Sequence, residues 1–238
     1  MTNFAEIWVY LSREPLLWLT ATLAAYALGD ACYRAAHRAP LVNPVLIAVA
    51  LLAGLLWLTG TTYKRYFEGA QFVHFLLGPA TVCLGYPMYE NLPRVRRALL
   101  PMGLALLAGS ITAVASALGI SYALGVHGEA LASLSAKSTT APVAMGIAEK
   151  IGGSPTLTAV LVILTGIMGA AMATPLLNLL GVKDWRARGF AVGVAAHGLG
   201  TARAIQVNPT AGAFAGVGMG LNAVLTAVLA PYILKFFL

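Results

Sequence analysis

The sequence predicts an all-α, polytopic integral membrane helical bundle, and three observations carry that prediction. Of 238 residues, 59% are hydrophobic and 10% are charged, whereas soluble domains carry roughly 25% charged residues. With a mean hydropathy of +0.82, a soluble fold would lack the polar coat to cover its apolar surface. The apolar runs are continuous rather than alternating, which fits spanning helices and not the strands of a membrane barrel. No serine- or glycine-rich linker, acidic tail or low-complexity block interrupts residues 1–238, so they read as a single membrane domain.

A helix needs about 20 apolar residues to cross a bilayer core. The segments 16–33, 41–59, 98–124, 155–180 and 211–234 meet that length cleanly. Three more, 69–89, 130–148 and 187–206, are interrupted by glycine, proline or polar residues, giving seven or eight hydrophobic segments. The start "MTNFAEIWVYLSREP" has no basic leader and no cleavage site follows it, so the first segment is expected to remain as a membrane helix. With no transit sequence either, the bacterial plasma membrane is the expected location. "GPATVCLGYPMYENLP" (78–93) and "TAPVAMGIAEKIGGSP" (140–155) each precede a long helix with mid-span glycines, "LLAGSITA" and "LTGIMGAA", which hints at an internal repeat.

The net charge of +7 does not point to nucleic acid, because the basic residues cluster in short loops between apolar runs, as cytoplasmic loops do. If loops 34–38 and 90–97 are inside, "GVHGE" (125–129) is outside. A full crossing by 130–148 would then strand the basic "VKDWRAR" (182–188) outside. A re-entrant 130–148 returns that loop, and Lys235 with it, to the inside. Cys32 and Cys83 fall in apolar segments and imply neither a disulfide nor a metal site; each is expected to be a small buried hydrophobe.

The broken segments hold the chemistry. Irregular backbone at membrane depth survives only inside protein or beside water. "AKSTTAPVAMG" (136–146) places Lys137, Ser138, Thr139 and Thr140 just before Pro142, whose ring opposes a continuous helix. A lysine at the bilayer centre costs roughly 2.5–3.5 kcal/mol, so either it snorkels to an interface or it meets a partner or substrate. "AAHGLGTARA" (195–204) sets His197, Thr201 and Arg203 among Gly198 and Gly200, where an unwound helix end could present N–H groups to an anion. Its bland alternative is close packing by small residues. "LLGPATVCLGYP" (76–87) adds Gly78, Pro79 and Thr81, and Asn43 opens its helix as a cap or a ligand. Gly212, Gly216 and Gly220 read as helix packing. Catalytic groupings do not assemble: Lys137 and Ser138 are adjacent and face apart on a helix, and "GLG" lacks the strand and third glycine of a dinucleotide site. Asp30 and Glu149 are the carboxylates near enough to concern a proton. No metal, cofactor or enzyme activity is expected.

"NPVLIAV", "LLGPATVCLGYPMY", "AKSTTAPVAMGIAEKIGG", "LTAVLVILTGIMGA" and "ARGFAVGVAAHGLGTARA", in this order from residue 41 onward, resemble the LrgB/CidB family. These are antiholin-like bacterial membrane proteins related to the membrane part of the plastid glycolate/glycerate translocator. Ala136 stands where the family often has proline, and Gln206 where an acidic residue is usual. The resemblance implies a multi-pass plasma-membrane protein with a smaller LrgA/CidA-like companion, and leaves a homo-oligomer open. It implies two jobs: control of murein hydrolase export and cell lysis, or transport of small carboxylates such as glycolate, glycerate or pyruvate. The residues favour transport. Lys137 and Arg203 would bind a 2-hydroxy or 2-keto carboxylate, Ser138, Thr139, Thr140 and Thr201 would read its hydroxyls, and His197 would relay a proton. The two polar stretches are expected to meet near the bilayer midplane around one cavity. The alternative is a holin-like regulatory component.

Overall fold

The computed structural model describes residues 14–37, 39, 42–76, 79, 83, 89 and 92–237. They form ten helices and, among the described residues, no strand. The chain divides into two compact units, Met1–Cys83 and Leu84–Leu238, although its composition offers no linker.

In the first unit, α1 (Pro15–Ala35) packs on α2 (Pro44–Thr59) and α3 (Tyr63–Phe75). Prolines open α1 and α2, where a missing N–H costs nothing. Trp18 is fully buried and meets Tyr66 edge to face at 6.0 Å. Asn43 caps α2, accepting from the N–H groups of Val45 and Leu46 at 2.8 and 3.3 Å. Asp30 is spent in an ion pair with Arg34 one turn on. The segment expected at 69–89 begins inside the charged α3, and most of its remainder lies outside the described residues, including Gly78 and Thr81. Pro79 is exposed. Both cysteines are exposed, which corrects their reading as buried hydrophobes. In a membrane helix an apolar face needs no protein cover, since lipid accepts a thiol as readily as a core does.

The second unit opens with the short α4 (Leu92–Arg97) and three long helices frame it: α5 (Leu99–Ala123), α8 (Pro155–Leu179) and α10 (Pro209–Leu234). With α1, these are the helices long and apolar enough to cross a membrane. At 25 or 26 residues each, the three in this unit extend about 38 Å, enough for a core of about 30 Å. Two hairpins lie between them. The first consists of α6 (Gly128–Leu134), a turn, and α7 (Ala141–Lys150). Its two ends lie together: Val126, just before α6, and Ile151, just past α7, pack on one cluster. Leu131 and Ala132 share a cluster with Leu118 near the end of α5 and Leu234 at the end of α10.

The second hairpin is α9 (Trp185–Val207), which breaks at His197 with φ 40° and ψ −132°. Trp185, Arg188 and Val192 line one hollow together with Arg203 and Val207. In a straight helix Trp185 and Val207 would stand about 33 Å apart, so the chain doubles back at His197. The first arm lies on α10 backbone to backbone, because Cβ atoms on Gly189 and Gly193 would fall 2.0 Å from the carbonyl oxygens of Ala211 and Ala215. Gly212 packs as expected, against Ile205, whereas Gly220 faces open space and Gly218 makes the close approach, to the Phe190 carbonyl.

Each hairpin thus enters and leaves at one end, the first beside Leu118 and Leu234, the second beside Arg97, Lys183 and Asp184. The unit is a long helix plus hairpin, present twice with the second copy inverted: α5 with α6–α7, then α8 with α9. Segment 187–206 therefore does not cross, and the charge count that placed Lys235 beside the basic loop 182–188 is corrected. Lys235 follows Leu234, at the end opposite that loop.

Candidate functional site

The tips of the two hairpins are tied together by one side chain. Asn222, near the middle of α10 and 1% exposed, donates through Nδ2 to the Ser138 carbonyl at 2.9 Å and the Val194 carbonyl at 3.1 Å. Its Oδ1 accepts from Ser110 Oγ of α5 at 2.6 Å and from Thr226 Oγ1 at 3.3 Å. A broken helix leaves carbonyls that lipid cannot satisfy. Here a carboxamide with two donors and an acceptor satisfies one from each hairpin and joins them to two long helices.

His197 closes the second tip. Its Nε2 lies 2.9 Å from the Val162 carbonyl of α8, and its ring leaves no room for a side chain at Gly166. Thr201 Oγ1 donates back to the His197 carbonyl at 2.8 Å, so its hydroxyl holds the break rather than pointing at a ligand. Gly200 lies against Val192 of the opposite arm, and a Cβ on Gly198 would meet Met219 Sδ at 4.0 Å. Ser110, Gly166 and Asn222 stand near the middle of their helices, so both tips reach half-way through the unit.

At the first tip, a run of single turns carries residues 135–139 to Thr140, the N-cap of α7, which makes no side-chain cap bond. Ser138 and Thr139 are buried, and Thr139 Oγ1 has no hydrogen-bond partner among the described residues. Lys137 is half-buried; its Nζ lies 3.5 Å from Ser138 Oγ and within electrostatic reach of His197. Among the described residues no carboxylate pairs with it, and Glu149, ten or so residues along the hairpin, is exposed. Two helix N-termini also begin here, those of α7 and of the arm 198–207, and each carries a partial positive charge.

The structure therefore gathers Lys137, Ser138, Thr139, Thr140 and His197, but leaves Arg203 elsewhere: it lines the hollow between the outer parts of the α9 arms, with Arg188 and Trp185. Asn43 belongs to the first unit. Ser110, Asn222 and Thr226 escaped the sequence reading, although Asn222 is a lone amide inside a 26-residue apolar helix. A separate cleft of about 630 Å³ runs between α5 and the first arm of α9, from Arg97 and Asp184 to Ala113 and Ala195. Its walls are mostly alanine, Met102, Phe190 and Phe214, with Arg97, Asp184 and Arg186 among the lining residues. At its mouth the Arg186 side chain, with backbone N–H groups, holds the Asp184 carboxyl down at about 2. No group of metal-binding side chains occurs among the described residues.

The LrgB-like family model matches residues 22–236 of the chain. The chain belongs to the LrgB-like family. Among its LrgB-like relatives, the holin-like protein CidB of Staphylococcus epidermidis is 32% identical over 84% of this chain and 88% of its own length. The protein YwbG of Bacillus subtilis is 34% identical over 82% and 86% of the two chains. The CidB protein of Staphylococcus aureus is 30% identical over 94% and 97%. No solved structure matches the chain. As an LrgB-like protein it is a multi-pass membrane protein with bacterial relatives.

Proposed function

We propose that this LrgB-like protein carries a small carboxylate across the bacterial plasma membrane, binding it between the hairpin tips. The observation that carries this reading is Lys137: a half-buried ammonium at half-depth with no carboxylate partner among the described residues. An anion relieves the cost of holding that charge in the membrane. The two helix N-termini beside it add to the attraction, as they do for anionic substrates of transporters built from broken helices. Thr139 supplies a buried hydroxyl with unused capacity, which suits a 2-hydroxy group. His197, whose Nε2 is taken by the Val162 carbonyl, would exchange a proton with the bound acid through Nδ1. Hairpins that enter from opposite ends also suit alternating access, because moving either one opens the tips to its own side.

The test is uptake into liposomes of labelled glycolate, glycerate, lactate and pyruvate by the purified full chain. Saturable uptake is expected for at least one, and Lys137→Met should lower its kcat/KM by roughly tenfold to a hundredfold, the loss of one charged hydrogen bond. The same acid at a hundredfold excess over its Kd should stabilise the fold by about 2.7 kcal/mol. The holin-like CidB relatives favour a second reading, a holin-like component acting with a small LrgA/CidA-like companion. Release of a large trapped dye, with no saturable uptake of any of the four acids, would select that reading.

A further inference from the structure

The cleft between α5 and the first arm of α9 begins at Arg97 and Asp184 and runs to Ala113 and Ala195. Along the two helices it is about 16–24 Å long, and one leaflet of the bilayer core is about 15 Å deep. It therefore reaches from the basic end to the level of the hairpin tips. Helical spacing explains why it exists. Ala105, Gly109 and Ala113 recur every four residues on the wall of α5, and Ala187, Ala191 and Ala195 do so on the arm of α9. On the far face of α5, Leu100, Leu104, Leu107 and Ile111 are exposed instead, and the far face of the arm presents Gly189 and Gly193 to α10. Small side chains on both walls leave a trough, with the buried Phe190 and Phe214 at its bottom. Ala105, Ala187, Ala191 and Ala195 are all exposed, so the trough opens to the bilayer along its length.

We propose that this trough holds one acyl chain of an anionic phospholipid, with the headgroup phosphate at Arg97. A trough open to the bilayer is filled by water, protein or lipid. Its apolar walls do not offer the roughly 2–4 polar partners that each ordered water needs. Spread over its length, a volume of about 630 Å³ amounts to a cross-section of about 30 Å². A helix with its side chains is about 10–12 Å across and needs about 80–110 Å², so a partner helix does not fit between the alanine rows. A single methylene chain does. Charge at the mouth selects the head. Arg97 is exposed, with no hydrogen-bond or ion-pair partner among the described residues. Arg186 gives Nε and Nη2 to Asp184 and keeps Nη1. With Asp184 neutralised in this way the mouth is cationic, and basic pockets between membrane helices take anionic headgroups. The planar fork of an arginine binds two phosphate oxygens at once. The site requires only that the chain resides in a membrane and is independent of what the hairpin tips carry.

The experiment places the full chain in nanodiscs of mixed phosphatidylcholine and phosphatidylglycerol and reads, by native mass spectrometry, which lipid stays bound on release. Phosphatidylglycerol is expected to stay bound in preference to phosphatidylcholine. Ala191→Trp fills the trough and should lose that lipid. Ala105→Trp does the same from the opposite wall and decides the matter should the first variant misfold. Leu164→Trp, at an exposed position of α8, should retain the lipid as the wild type does. Arg97→Gln should weaken retention by roughly fivefold, the worth of one cation at the headgroups. Equal retention by the wild type and a folded trough variant, or equal loss in Leu164→Trp, overturns the site. If phosphatidylcholine is retained as well as phosphatidylglycerol and Arg97→Gln changes nothing, the chain site stands and the anionic head is overturned. A lipid-free dimer that Ala191→Trp converts to monomers would overturn the lipid and give the trough to a second copy.

Discussion

Asn222 uses both amide hydrogens and its carbonyl oxygen within the hydrophobic span of α10, and every partner belongs to a different turn or element. Replacing it with alanine leaves the Ser138 and Val194 carbonyls and the Ser110 hydroxyl buried and unpaired. Interhelical hydrogen bonds in membranes are worth about 0.6–2 kcal/mol, and an orphaned buried group costs about 1–3 kcal/mol. Asn222→Ala is therefore expected to cost about 2–3 kcal/mol in detergent unfolding, and Ser110→Ala, which removes one bond, about 1 kcal/mol. Asn222→Asp should fall below Ser110→Ala, because it aims a carboxyl at two carbonyl oxygens. Equal midpoints for Asn222→Ala and Ser110→Ala would remove Asn222 from the centre of the site. The amide itself was visible in the sequence, alone in an apolar run. Its meaning was not, since Ser138 and Val194 stand 84 and 28 residues away and no local spacing links them. Lys137 and Thr139 were legible for the opposite reason: polar groups beside Pro142 announce broken backbone without knowledge of any partner.

His197 shows what decides a hairpin at the scale of an element. A φ of 40° with ψ −132° is ordinary for glycine and strained for a residue with a Cβ. Glycines stand one and three residues later, so the composition announced flexibility, yet the turn falls on the histidine. The side chain accounts for that choice, since Nε2 reaches the Val162 carbonyl and Thr201 braces the carbonyl of His197 itself. His197→Gly should relieve the strain while losing the bond to Val162, whereas His197→Ala keeps the strain and loses the bond. The alanine variant is thus expected to melt below the glycine variant, by about 1 kcal/mol in stability. The reverse order would mean that the backbone is not held in this conformation. The long helices were readable from hydropathy alone, with ends matching to within a few residues. The break in 187–206 was read as a glycine-rich unwinding and not as a reversal, because a run of small residues is compatible with a crossing helix, a packed helix or a hairpin. The backbone break at His197, with Trp185 and Val207 lining one hollow, settles which of these forms.

For the whole molecule, the number of reversals decides where the chain's charges lie. Positive-inside bookkeeping sorts loops correctly only when each hydrophobic segment is known to cross or to return. One re-entrant segment leaves Lys235 beside loop 182–188, whereas two place it at the opposite end, where Leu234 and Phe237 pack with Leu118 and Leu131. The bias tolerates this, because a single lysine beyond the last helix weighs little against the arginines of residues 94–97 and 183–188. A labelling experiment separates the two topologies. In a chain with Cys32→Ala and Cys83→Ala, single cysteines at Arg96, Lys183, Glu129 and Lys235 are each exposed to a membrane-impermeant maleimide on intact cells and on inverted vesicles. Positions 129 and 235 are expected to label from one side, and 96 and 183 from the other, with the basic pair accessible in inverted vesicles. If 235 labels with 183, α9 crosses the membrane, and then its tip no longer faces the first hairpin from the opposite end. The alternating-access argument would fall with it, since it requires one hairpin to return on each side.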